Sequence, residues 1–180
     1  NLLFPLTEHF QIFNLFRYLT FRAGGAVITS LLISILIGPI VIRWLKSKQG
    51  QGQPIRNDGP ATHLKKQGTP TMGGVIIIIS TLISTLLWVD IYNPYIWITL
   101  SMFLAFGFIG FFDDYAKLTK KSHRGVSAKS RILFEIFVAG CAVVAFTYIA
   151  PEQLQSTLAV PFFKDFLINL GWFFIPFGIF

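Results

Sequence analysis

The chain has 180 residues, of which 53% are hydrophobic and only 13% charged, and 20 are phenylalanine. Soluble domains carry roughly 25% charged residues, so the composition excludes an ordinary water-soluble globule and points to a bilayer. A net charge of +7 could suggest nucleic acid, but the bases sit in two loops between apolar runs, which assigns them to membrane topology and leaves no nucleic-acid partner to expect. The one cysteine, Cys141, lies in an apolar run; it has no partner for an internal disulfide and is expected to be a buried small hydrophobe.

In chain order, residues 1–22 mix aromatic and polar side chains. Phe10, Phe13, Leu15, Phe16, Leu19 and Phe21 approximate one helical face, with Glu8, Gln11, Asn14 and Arg17 between them. This predicts an extracytoplasmic segment lying in the membrane interface. Glu8 and Arg17 interrupt the apolar stretch, which argues against a cleavable signal peptide.

Ala23 to Ile42 is an uncharged run of 20 residues, long enough to cross a hydrocarbon core of about 30 Å. Met72 to Val89, Asn93 to Phe112 and Ile132 to Ile149 predict three further spans, and 166–180 the start of a fifth. Trp88, Tyr92, Tyr95 and Trp97 form an aromatic belt around the turn at Asp90 to Pro94. Glu135, within a turn of its span's end, is expected to snorkel or pair with Arg131. Leu158 to Phe163 predicts a short hairpin or interfacial segment. The fold class is therefore all-α, a polytopic helical membrane bundle forming one membrane domain over 1–180. The chain begins without Met and ends inside an apolar run, so it is expected to be a piece of a longer protein.

Loops 43–71 and 113–131 carry six Lys or Arg each, 12 of the 15 in the chain. Loop 89–95 has none, so the positive-inside rule puts the two basic loops in the cytoplasm and the N-terminus outside. Both loops contain a motif. The first holds Lys65-Lys66 and then Gly68-Thr69-Pro70-Thr71-Met72-Gly73-Gly74, leading directly into an isoleucine-rich run. Thr71 is placed to cap the following helix, the glycines let backbone approach a ligand, and a helix N-terminus attracts phosphate. No Gly-Lys-Ser/Thr follows, so it is not a Walker loop. A plain loop-to-helix joint would also use these residues.

The second motif is Asp113-Asp114-Tyr115-Ala116-Lys117, immediately after the uncharged run that ends at Phe112. Adjacent carboxylates repel, and keeping both ionised near lipid calls for a cation or basic partners. A hydrated Mg²⁺ held through one or two carboxylates and substrate phosphates meets that need. The bland reading is a polar helix end at the interface. Both motifs lie at helix ends on one face of the membrane, and this coincidence favours an active site.

Arg56-Asn57-Asp58-Gly59-Pro60, the Gly68 to Gly74 segment, Asp113-Asp114-x-x-Lys117, Phe21-Arg22-Ala23 and Val160-Pro161-Phe162-Phe163-Lys164 occur in the order in which they occur in bacterial phospho-N-acetylmuramoyl-pentapeptide transferases, and the chain resembles that family over nearly its whole length. The Asp-Asp-x-x-Lys pattern alone is shared with the wider superfamily of polyprenyl-phosphate N-acetylhexosamine-1-phosphate transferases. The resemblance implies transfer of phospho-MurNAc-pentapeptide from UDP-MurNAc-pentapeptide to undecaprenyl phosphate, giving lipid I and UMP for peptidoglycan synthesis. It implies Mg²⁺, a bacterial inner membrane with the site on the cytoplasmic face, and a homodimer. Carried over by position, Asp113 is the candidate base or orienter of the lipid phosphate, and Asp114 the ligand of Mg²⁺ and positioner of the diphosphate, roles that are interchangeable at this point. Lys117 and Lys129 would neutralise phosphate oxygens, and Lys66 and Thr71 would lie near the nucleotide. The family has about ten spans, with a third catalytic Asp and a His cluster in later loops. His9, His63 and His123 are scattered, so this piece alone is expected to be inactive. The alternatives are a UDP-GlcNAc:polyprenyl-phosphate transferase for another envelope polymer, a transporter subunit, which would place ionisable groups in mid-bilayer, and a non-catalytic membrane scaffold, which would tolerate loss of the acidic pair.

Overall fold

The computed structural model describes residues 15–49, 70–120, 125–160 and 167–180. In chain order the elements are α1 (Leu19–Gln49), α2 (Gly74–Trp88), α3 (Pro94–Thr119), α4 (Ala128–Ile149), strand β1 (Thr157–Ala159), strand β2 (Leu167–Asn169), a 3-10 turn (Gly171–Phe173) and α5 (Phe174–Ile179). The chain is thus a helical membrane protein, with one small sheet in which Leu158 lies opposite Ile168 in an antiparallel pair. The first fourteen residues of the expected interfacial segment lie outside the described residues.

Among the described residues three helices are long and apolar enough to cross a bilayer: α1 with 31 residues, α3 with 26 and α4 with 22. The sequence predicts five such segments, and two of these differ. The second run forms a helix of only 15 residues, about 22 Å at 1.5 Å per residue. Its start is delayed because Met72 adopts φ 68, which no α-helix accommodates. Of the run expected at 166–180, residues 167–180 form β2, the 3-10 turn and the six-residue α5 instead of a span. There the backbone donors go elsewhere: Leu170 N–H to the Ser156 carbonyl at 2.8 Å and Gly171 N–H to Asn169 Oδ1 at 2.9 Å. Gly171, at φ 54, turns the chain.

The other helices outrun their apolar stretches. α1 begins before Ala23 and continues to Gln49, because Arg43 to Gln49 contains no Gly or Pro and its lysines complement the negative end of the helix dipole. α3 starts with Pro94 in the first-turn position that proline favours. Asn93 Oδ1 accepts the Tyr95 N–H at 3.0 Å, and the helix runs past Phe112 to Thr119. α4 starts at Ala128, capped by Ser127.

The described residues form two compact units. One joins α1 and α2 with Gly107–Val126; the other joins Asn93–Phe106 with α4, the strands and α5. In the first, α1 and α2 approach through small residues. Ser84 Oγ donates to the Ala26 carbonyl at 2.5 Å, and Trp88 Nε1 donates to Thr29 Oγ1 at 3.0 Å. The Trp88 ring stacks on Phe16 with centroids 5.5 Å apart. Gly107 lets α3 meet Ile78 of α2, since a Cβ there would stand 2.7 Å from Ile78 Cδ1. In the second unit, Gly178 of α5 fits against Val143 of α4, and Phe146 stacks on Phe174.

Large apolar side chains stay exposed on all sides: Val27, Leu31 and Leu36 on α1, and Leu133 and Phe137 on α4. Such surfaces need lipid as their solvent. Cys141 belongs to this class too. It is exposed rather than buried, lining an apolar cleft of about 490 Å³ between α3 and α4 with Trp97, Met102 and Phe137. The Arg131–Glu135 pairing expected from the sequence is present, Nε to Oε1, at 2.8 Å.

A side chain at position 25 would enter the space of the Trp88 ring, which its hydrogen bond and stacking hold in place. Gly25→Leu is therefore expected to destabilise the protein by about 1–3 kcal/mol through overpacking. Thermal unfolding in detergent checks this, and an unchanged Tm would show that the α1–α2 contact does not depend on Gly25.

Candidate active site

Asp113 and Asp114 occupy the last two turns of α3, inside the helix rather than beyond its end. Consecutive helix positions diverge by roughly 100°, so the two carboxylates face different neighbours. Lys117 lies four residues from one and three from the other, the spacings at which helix side chains meet. Its Nζ is 2.6 Å from Asp113 Oδ2 and 3.5 Å from Asp114 Oδ1. One ammonium thus sits between two like charges and offsets their repulsion.

The remaining oxygens are met by two backbone segments. Asp113 Oδ1 accepts the Val126 N–H at 2.9 Å. Asp114 Oδ2 accepts the Thr71 hydroxyl at 2.7 Å and the Met72 N–H at 3.2 Å. Thr71 therefore does not cap α2 as its position predicts; the cap position falls to Gly73, which makes no side-chain bond. The hydroxyl is spent on a carboxylate instead, the stronger, charge-assisted acceptor. Asp113 and Asp114 side chains keep 17% and 29% of their exposure, so the pair is shielded yet reachable.

Met72 carries the only positive φ among the described non-glycine residues, a conformation costing about 1–3 kcal/mol. The residue before it is gripped by Gln49, the last residue of α1. The Thr71 N–H donates to Gln49 Oε1 at 2.9 Å, and Gln49 Nε2 donates to the Thr71 carbonyl at 3.1 Å.

Of the residues predicted for the site, the structure brings together Asp113, Asp114, Lys117 and Thr71. Lys66 lies outside the described residues, as do Lys121 and Arg124. Lys129 is exposed in the first turn of α4, in the second unit. Sequence reasoning missed Gln49, Gly125 and Val126. Val126 acts through its backbone N–H, which no residue type reveals, and Gln49 carries no chemistry that marks it.

The donor set suits a hydrated divalent cation. Among the described residues no three His, Cys, Asp or Glu side chains converge, and of these residues Asp113 and Asp114 are the ones that would hold a metal here. Water and substrate phosphates would complete its shell, which is the habit of Mg²⁺. Asp114 Oδ1, whose lysine stands back at 3.5 Å, is the oxygen best placed to take part.

Gly125 is required by close approach. A Cβ there would overlap the Asp113 carboxylate, with Cγ at 2.7 Å and Lys117 Cε at 3.0 Å. Gly125→Ala is expected to displace Asp113 and destabilise the protein by about 1–3 kcal/mol through overpacking. Thermal unfolding in detergent checks this; an unchanged Tm would mean that the chain can give way at position 125.

Residues 66–78 match the phospho-N-acetylmuramoyl-pentapeptide-transferase signature 1. The described part of that match, residues 70–78, includes Thr71 and Met72, the two residues that hold Asp114, and continues into the first turn of α2. On this match the chain, a helical membrane protein, carries a signature of the phospho-N-acetylmuramoyl-pentapeptide-transferase family.

Proposed function

We propose that this chain supplies part of the active site of an enzyme that transfers phospho-MurNAc-pentapeptide from UDP-MurNAc-pentapeptide to undecaprenyl phosphate, giving lipid I and UMP. The observation that carries the reading is the direct contact between signature and acid pair: Thr71 and Met72, within the matched segment, donate to Asp114. The same match favours the muropeptide substrate over UDP-GlcNAc. Ionisable groups cluster at helix ends rather than in mid-span, which disfavours a transporter.

In this reaction an oxygen of the lipid phosphate forms a bond to the β-phosphorus of the nucleotide substrate. The bond from that phosphorus to the bridging oxygen breaks, and UMP leaves with the electron pair. Phosphoryl transfer is chiefly positioning and charge neutralisation. Mg²⁺, when bound, would neutralise the diphosphate and the leaving UMP. Asp114 would hold the cation and orient the diphosphate. Asp113 would orient the lipid phosphate or take its proton. Lys117, poised between the acids, would turn toward phosphate oxygens as substrate enters. Lys66, Thr71 and Lys129 would serve substrate binding.

Asp114→Asn keeps the shape of the side chain and an acceptor for Thr71 while removing a negative charge. In the full-length enzyme it is expected to lower kcat by about 10²–10³, the usual cost of one important electrostatic group. Asp113→Asn should be comparably severe, and a chelator should abolish activity. Lipid product from purified variants, with Tm followed in parallel, tests this. Near-normal kcat in both variants would reduce the pair to a helix terminus.

The proposed cytoplasmic face has its own test. Single cysteines replacing Ser47 and Lys120, with Cys141 removed, should resist an impermeant thiol reagent applied outside intact cells. Ready labelling would overturn the orientation.

A further inference from the structure

We infer that Gln49 is a positioning residue for the acidic pair, acting on Asp114 through Thr71 and Met72; the inference rests on the reading that Asp114 serves the transfer reaction. Three facts carry it. First, the Gln49 amide makes both bonds that one backbone residue can offer, accepting from the Thr71 N–H and donating to the Thr71 carbonyl. Among side chains of this length, only glutamine presents an acceptor and a donor side by side without charge; glutamate lacks the donor and lysine the acceptor.

Second, the residue so fixed is the one whose hydroxyl meets Asp114 Oδ2, and its successor is Met72, in the left-handed region. A methionine does not remain there unaided. With Thr71 released, Met72 relaxes to negative φ. The peptide between them then rotates and carries the Met72 N–H away from Asp114. Third, Gln49 is itself anchored as the last residue of a 31-residue helix, so the clamp ties the carboxylate's donors to a rigid element. Asp114 is then held by Thr71 and Met72 on one oxygen, with Lys117 kept at 3.5 Å from the other. Without the clamp, the carboxylate is free to close on Lys117 and lose its orientation toward substrate.

The test is a double-mutant cycle in the full-length enzyme, assayed with UDP-MurNAc-pentapeptide and undecaprenyl phosphate. Gln49→Ala is expected to lower kcat by about 10-fold or more, because misplacement of about 1 Å costs up to about 10²-fold. The KM for the nucleotide should change by less than about 3-fold, since an interaction realised in the transition state is what is lost. In the Asp114→Asn background the same change should cost less than about 3-fold, because the two residues act on one interaction. A purely structural clamp would lower both backgrounds by equal factors, and that result overturns the inference, as does a smaller loss in the single variant. If Gln49→Ala does not fold, Gln49→Glu decides. It retains the acceptor for the Thr71 N–H and loses the donor, so kcat must fall; wild-type turnover overturns the inference. Wild-type turnover of Asp114→Asn would instead sink the functional reading itself, whereas an impaired Asp114→Asn beside an intact Gln49→Ala sinks this inference alone.

Discussion

Two negative charges on consecutive residues, at the margin of an apolar helix, are the constraint around which this molecule is arranged. Neighbouring like charges repel at the effective dielectric of a protein surface, so the pair has to be met by opposite charge and by donors. Lys117 supplies the charge from the same helix. The donors come from the segment that enters α2 and from the turn that enters α4. Each carboxylate thus specifies a distant stretch of backbone, and the two stretches converge on one end of α3.

The helices that deliver those segments associate without much help from the hydrophobic effect, because lipid is as apolar as their side chains. What remains is close packing at small residues and hydrogen bonds across the contact. The α1–α2 contact shows both, with Gly25 receiving the Trp88 ring and Ser84 reaching the Ala26 carbonyl. Ser80 and Ser84 are the described polar side chains that are buried, and both hydroxyls are satisfied. This contact sets where the N-terminus of α2 lies relative to the C-terminus of α1, and with it the meeting of Gln49 and Thr71.

Much of this was legible in the sequence. Apolar runs announce α1, α3 and α4, and the acid pair stands out by residue type, while the part of Lys117 beside it comes from the family resemblance. The misreadings have physical causes. Hydropathy counts apolar residues but does not see backbone torsions, so the left-handed Met72 shortened α2 unannounced. It also does not see competing hydrogen bonds, so 166–180 was read as a span although Leu170 and Gly171 donate to Ser156 and Asn169. Thr71 is expected from the sequence to cap α2, but its hydroxyl meets Asp114 instead. Its capping role was inferred from neighbours in sequence, whereas its acceptor lies 43 residues away. Gln49 was invisible because its contribution is a pair of bonds to main chain 22 residues on.

Those separations bear on the order in which the molecule takes shape. An apolar helix enters the bilayer on its own account, its backbone satisfied internally. The bonds at Asp114 and Asp113 are of another kind, since each closes a loop whose entropy must be met before the contact returns anything. Those that join Asp114 to Thr71 and Met72 cannot form until the start of α2 and the end of α3 are together. The carboxylate cluster is therefore a late product of assembly, and a chain in which α2 has failed to insert, or has inserted inverted, holds no paired site on either side of the membrane.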